Sequence, residues 1–175
     1  MFFPEVIVSN LTLKNIFPDQ VSDEYVTWLK NPEINRFLEV RHQKVSLSSQ
    51  KQFIEDVNSS NDSSLFGIFL EHSLLVGTIK IGPINPVHRT SDIGILVGSL
   101  KHHGKGIATN AITGVCNAFS QSMLIRKVNA GVISSNIASS RAFEKSGFIR
   151  EGLRIQQFIG PSGKLEDEIL LGKLL

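Results

Sequence analysis

The chain has 175 residues, 41% hydrophobic and 19% charged, which suits one globular domain and excludes a largely disordered chain. Eighteen Lys+Arg against sixteen Asp+Glu leave a net charge of +2, with no strong pull toward nucleic acid or an anionic membrane. The single cysteine, Cys116, excludes an internal disulfide and a cysteine zinc site, and fits a reducing compartment, taken here as the cytoplasm. No apolar run has the length of a membrane span, and Met1-Phe2-Phe3-Pro4-Glu5 lacks the layout of a signal peptide.

Val6-Ile7-Val8 and Leu11-Thr12-Leu13 read as one strand or a bulged pair of short strands. Residues 19–30 read as a helix, with Val21, Tyr25, Trp28 and Leu29 on one stripe. Asn31-Pro32 stops it, and Pro32 opens a second short helix through Phe37. Residues 39–44 are polar and without period. Ser48 or Ser49 is the expected N-cap of a helix carrying Phe53, Ile54 and Val57, and residues 58–63 read as a loop. Strands are predicted over 65–70 and 74–84, joined as a hairpin at His72-Ser73, and over 91–97. A helix over 104–119 and a strand over 127–132 follow. Asn136 caps a helix over 137–145 that Gly147 ends. Two last strands, 148–158 and 166–174, are joined by Gly160-Pro161-Ser162-Gly163. The pattern is α/β or α+β, a mixed sheet carrying helices, and residues 1–175 form a single domain because no composition shift marks a boundary.

The segment from Gly98 to Thr109, GSLKHHGKGIAT, is a basic, glycine-bearing turn between a strand and a helix. Glycine permits positive φ and close approach to a ligand. The first N–H groups of a helix are unpaired and carry partial positive charge. A phosphate or diphosphate suits such a site, with Lys101, Lys105 and the two histidines adding charge; the alternative is a plain tight turn with a solvated rim. Two rival motifs fail. Five residues separate Gly98 from Gly104, one too many for a Walker A loop, and Gly106 follows Lys105 where Ser or Thr is needed. Thr109 stands where the dinucleotide fingerprint needs its third glycine.

Lys101-x-x-Gly104-x-Gly106 resembles the Arg/Gln-x-x-Gly-x-Gly/Ala acetyl-CoA signature of the GCN5-related N-acetyltransferases (GNAT). Residues 136–148, NIASSRAFEKSGF, resemble the second signature of that family, in which an Asn opens a helix ending in Glu-Lys-x-Gly-Phe. Glu151-Gly152-Leu153-Arg154 and Asp167 are similar to the branch that includes ribosomal-protein N-terminal acetyltransferases. The likeness covers residues 90–170 and, more loosely, 11–60.

The resemblance implies a mostly antiparallel central sheet of about seven strands with helices on both faces. Its two central parallel strands, 91–97 and 127–132, splay around the pantetheine arm of acetyl-CoA, the co-substrate. An amine would attack the acetyl thioester directly. Backbone groups near Leu96, Val97 and Gly98 would bond the pantetheine amides, and one N–H would polarise the thioester carbonyl. The turn, with Lys101, His103, Gly104, Lys105, Gly106, Ile107, Ala108 and Thr109, would hold the diphosphate. Asn136 would contact the coenzyme while also serving as an N-cap.

The acceptor ammonium must lose a proton before attack. Asp92 stands where related enzymes often carry an acid, so it is the first candidate base; its other reading is a strand-edge acid paired with Arg89. Many members place a Tyr seven residues after the Asn as the acid that protonates the thiolate. Here that residue is Phe143, which has no proton to give and packs near the thiol end or in the core. Ser139 could replace it, with a first-turn structural role as the alternative. Cys116 reads as a buried thiol. Trp28, Glu39 and His42 are the candidate acceptor-binding residues. The expected acceptor is a small-molecule amine, foremost an amino sugar, free or nucleotide-linked. The alternatives are a protein N-terminus and a non-catalytic acetyl-CoA-binding module. No nucleic acid, membrane or metal partner is expected, and the chain is expected to be a monomer or homodimer.

Overall fold

A computed structural model describes residues 4–71 and 73–175. The first apolar stretch is two strands, β1 (Val6–Val8) and β2 (Leu11–Asn15), because Ser9 takes φ 55° and turns the chain between them. Then come β3 (Ser64–Leu70), β4 (Leu74–Asn85), β5 (Thr90–Val97), β6 (Lys127–Ile133), β7 (Ile149–Ile159) and β8 (Leu165–Leu174). They form one eight-stranded sheet, not seven, in the order β1-β2-β3-β4-β5-β6-β8-β7. β3 and β4 pair antiparallel as a hairpin would, though His72 of the expected turn lies outside the described residues.

Five helices are described: α1 (Asp23–Lys30), α2 (Pro32–Asn35), α3 (Leu47–Ser59), α4 (Ile107–Ser122) and α5 (Ile137–Lys145). α1 starts four residues later than periodicity suggests, since Pro18–Gln20 form a separate 3-10 turn and Ser22 Oγ accepts from the Tyr25 N–H. α2 stops at Asn35, short of Phe37. Glu39–His42, without period in sequence, make one 3-10 turn. Three serines compete to cap α3, and Ser46 wins through a reciprocal box with Ser49. α4 begins at Ile107, not Gly104, because Gly104 and Gly106 sit at φ 73° and 77°, outside helical space.

Strand residues alternate between two cores. Ile93, Ile95 and Val97 of β5 join the cluster packed under α4 and α5, whereas Leu96 joins the cluster under α1 and α3. The sheet therefore carries helices on both faces. Its parallel pair, β5 and β6, is joined only at Thr90↔Lys127, Ser91↔Val128 and Asp92↔Asn129. Past that point β5 stays with β4 as far as Gly77↔Val97, and β6 stays with β8 as far as Ile133↔Glu168. The two strands thus open into a V whose facing edges have no strand partner.

Candidate active site

The turn after β5 is shaped by its glycines. A Cβ at Gly104 or Gly106 would meet nothing within 4 Å, so the glycines serve the left-handed backbone and leave the surface above them clear. Gly106 stands at the N-cap of α4 without a side-chain cap, and Asn110 is the first residue whose N–H turns back into the helix, to Gly106 O at 2.9 Å. The N–H groups before it have no partner within the helix.

A cavity of about 380 Å³ lies over this turn and the mouth of the V. β5 lends it Leu96 and Val97, and the turn lends His103, Gly104 and Gly106. The first turn of α4 adds Ile107, Ala108 and Thr109, and the start of α5 adds Asn136 and Ser139. Asn136 Oδ1 caps α5 by accepting from the Ser139 N–H at 3.3 Å. His103 Nε2 lies 2.8 Å from Val97 O, so one lone pair of that carbonyl already has an intramolecular partner.

Other expected residues lie elsewhere. Gly98 does not line the cavity; a Cβ there would fall 2.0 Å from the Trp28 ring. Trp28, 5% exposed, is therefore core, braced against the turn from behind and not in contact with an acceptor. Phe143 is 2% exposed, with its ring 5.0 Å from that of Phe148, which makes it core as well. Lys101 and Lys105 are exposed and line neither cavity. Glu39 and His42 are exposed and line neither cavity; Glu39 pairs loosely with Arg41 at 4.0 Å, and Arg41 donates to Ile159 O at 2.8 Å.

Asp92 sits exposed at the vertex of the V. Arg89 is not its partner: that guanidinium donates to Met123 O. Asp92, Gly94 and Leu96 alternate onto one face, and a Cβ at Gly94 would meet nothing within 4 Å. The path along that face from Asp92 to Leu96, four residues or about 13 Å, is open, although Asp92 lines neither cavity.

A second cavity of about 400 Å³ lies on the α1 and α3 side and shares Leu38, Ile95 and Leu96 with the first. Tyr25 hydrogen-bonds Thr78 there, and burial pushes its hydroxyl pKa up. On the other wall of the V, Glu168 is 8% exposed and accepts from Arg154 Nη1 at 2.8 Å. Its Oε1 lies 2.0 Å from where a Cβ on Gly131 would stand, so only glycine at 131 leaves room for this carboxylate. Sequence reading missed Glu168. It also missed Arg36, Arg141 and Lys145, which with the two histidines make the first cavity basic against a single acid, Glu33. A signal existed for two of them: Ala138, Arg141 and Lys145 repeat at helical spacing along one face of α5. Cys116 is fully buried, and burial raises its thiol to about 11, which keeps it an inert thiol.

An open diphosphate-sized cradle, a basic rim and an unpaired strand edge suit a thioester-bearing nucleotide. Residues 10–149 match the family described as "Acetyltransferase (GNAT) domain". The chain belongs to that family, whose co-substrate is acetyl-CoA. It is 32% identical over 111 residues to the probable N-acetyltransferase YjcK of Bacillus subtilis (strain 168), an alignment covering 62% of this chain and 60% of that protein's length. Its fold is also that of the spermidine N-acetyltransferase of Vibrio cholerae solved with CoA and spermine (TM-score 0.81, 21% identity, 94% of this chain and 95% of that one). A ribosomal L7/L12 alpha-N-protein acetyltransferase solved with coenzyme A is similar too (TM-score 0.86, 17% identity, 98% of both chains). These two relatives act on different amines, so the shared fold leaves the acceptor open. No helix among the described residues is long and apolar enough to cross a membrane.

Proposed function

We propose that this chain transfers the acetyl group of acetyl-CoA to the primary amine of a small molecule, with an amino sugar, free or nucleotide-linked, as the acceptor class. The observation that carries the reading is the V between β5 and β6. One cavity opens on the β5 wall from the α4 side and another from the α1 side, and they meet at Leu38, Ile95 and Leu96. The amino sugar comes from residues 21–33, VSDEYVTWLKNPE, which are similar to segments of family transferases that act on such sugars.

Acetyl-CoA supplies an activated acetyl group as its thioester. The N–H groups of residues 106–109 bind the diphosphate, and Arg36, Arg141 and Lys145 offset its charge. The exposed edge of β5 at Leu96 and Val97 aligns the pantetheine arm and offers one N–H to the carbonyl oxygen. Asn136, its Oδ1 committed to the cap, has its amide N–H groups left to donate. The amine nitrogen forms its bond to the acetyl carbon as the C–S bond breaks. Asp92 takes the ammonium proton through water along the open Gly94 face, and Ser139 hydrogen-bonds the departing thiolate.

The test is release of free CoA from acetyl-CoA by the purified chain, with amino sugars, an N-terminal peptide and spermidine in parallel. Release with small amines and not with the peptide is the expected result. Preference for the peptide would transfer the assignment to protein N-termini, and release with none would leave an acetyl-CoA-binding module.

A further inference from the structure

The second cavity is chemically lopsided. Its lining holds two lysines, Lys44 and Lys80, and no carboxylate. Lys80 is half-buried on β4, between Leu65 of β3 and Gly94 of β5. It makes no ion pair or hydrogen bond with any described residue. The Lys80 charge also acts on Asp62, on the loop before β3, which is held below the usual carboxylate range first by hydrogen bonds from Ser60 and Ser63. A lysine that lines a cavity with no carboxylate in that lining presents its positive charge to whatever fills the cavity. The hydroxyls of Tyr25 and Thr78, joined to each other, lie in the same lining. The lining also holds Gln43, Ser49 and Gln50, and an apolar side that includes Leu29, Leu38 and Phe53.

We infer that the acceptor is an amine that also bears an oxyanion, a phosphate or a carboxylate, seated on Lys80 beside Tyr25 and Thr78 with Lys44 at the rim. The amine end then points to Leu96, where the two cavities meet. The inference rests on the N-acetyltransferase reading above and narrows it. It excludes a polyamine as the preferred acceptor, since a chain of ammonium groups would meet two lysines and no acid. It also explains the shape of the wall: the apolar side accommodates a carbon skeleton while the cationic corner fixes which end faces the thioester.

The experiment compares matched acceptors with the full chain and acetyl-CoA: glucosamine 6-phosphate against glucosamine, and alanine against alaninamide. In at least one pair the anionic member is expected to have a kcat/KM at least about tenfold higher; the pair that shows it tells phosphate from carboxylate. Lys80→Gln should bring that ratio close to one, and Lys80→Arg should retain it, while both variants bind acetyl-CoA by calorimetry as the parent does. A ratio near one in both pairs, a ratio that survives Lys80→Gln, or spermidine as the best acceptor overturns the inference. Calorimetry of the anionic amines keeps the two readings apart. If no amine releases CoA but an anionic amine binds the parent and not Lys80→Gln, the subsite stands and the transferase reading fails. If none binds, the subsite fails.

Discussion

The two cavities that meet at Leu96 are built from different materials. On the α4 side the ligand surface is mostly main chain: two left-handed glycines, the uncapped N–H groups of α4, and the free edge of β5. On the α1 side it is mostly side chain, gathered from two helices, the 39–44 loop and three strands. A main-chain site demands glycine at fixed spacing and is compressed into one short segment. A side-chain site needs only that distant residues converge, and it places no constraint on neighbours in sequence. The difference suggests why a shared coenzyme half can accompany very different acceptors: the β5–α4 turn cannot vary much without losing its backbone geometry, whereas the opposite wall can be rewritten one residue at a time.

The most damaging change should be the one that strikes both halves. Trp28 belongs to the α1 core yet lies against Gly98 at the start of the turn. Trp28→Ala should destabilise the chain by about 3–5 kcal/mol in denaturant titration and weaken acetyl-CoA binding as well. Loss of stability with unchanged coenzyme affinity would show that the two halves are mechanically separate.

Next is the chemistry at the vertex of the V. Asp92→Asn should lower kcat by about a hundredfold, most severely toward acid pH, with acetyl-CoA affinity intact. Glu168→Gln is its control. If that variant loses kcat and Asp92→Asn does not, the base stands on β8 and not on β5.

An alkaline titration probes both faces through groups already in the fold. Burial raises the Cys116 thiol from 9.0 to about 11 and raises Tyr25 from 10.0. A raised folded pKa stabilises fully below the unfolded value and is lost as pH climbs through the folded one. Stability should therefore fall between about pH 9 and pH 11, by roughly 2–3 kcal/mol for the thiol. Cys116→Ala should flatten that portion of a Tm-against-pH curve while leaving the part due to Tyr25.

The smallest effect expected is the most local. Gly104→Val forces a branched side chain into φ 73° and should weaken acetyl-CoA about tenfold by calorimetry, equal to some 1.4 kcal/mol. The KM for the amine should not move. An unchanged Kd for the coenzyme would remove this turn as its site.

How much of this was legible from sequence follows the same division. The helix from Ile137 to Lys145 was readable to the residue, because Asn136 supplies a cap and Gly147 a stop. The left-handed turn at Gly104 and Gly106 was readable because glycine marks such backbone locally. Element ends slipped where several residues compete for one role, as with Ser46, Ser48 and Ser49 at α3, or where Ser9 bends the chain without any glycine to mark it. Trp28, expected at the acceptor, lies in the core, because an aromatic on a helix stripe looks the same whether it faces a ligand or another ring. Lys80 and Arg36 carry no local mark at all, whereas the basic stripe of α5 shows only as a helical repeat. Only the register of β3 with β4 brings Lys80 to its cavity, and only the packing of α2 brings Arg36 to the other.

The contact between Trp28 and Gly98 has one more consequence. The chain has a single tryptophan, and it lies buried directly beneath the strand end from which the coenzyme turn departs. Its intrinsic fluorescence should therefore report on that turn without a label: a blue-shifted emission is expected at rest and a change on addition of acetyl-CoA, with no second indole to cloud either.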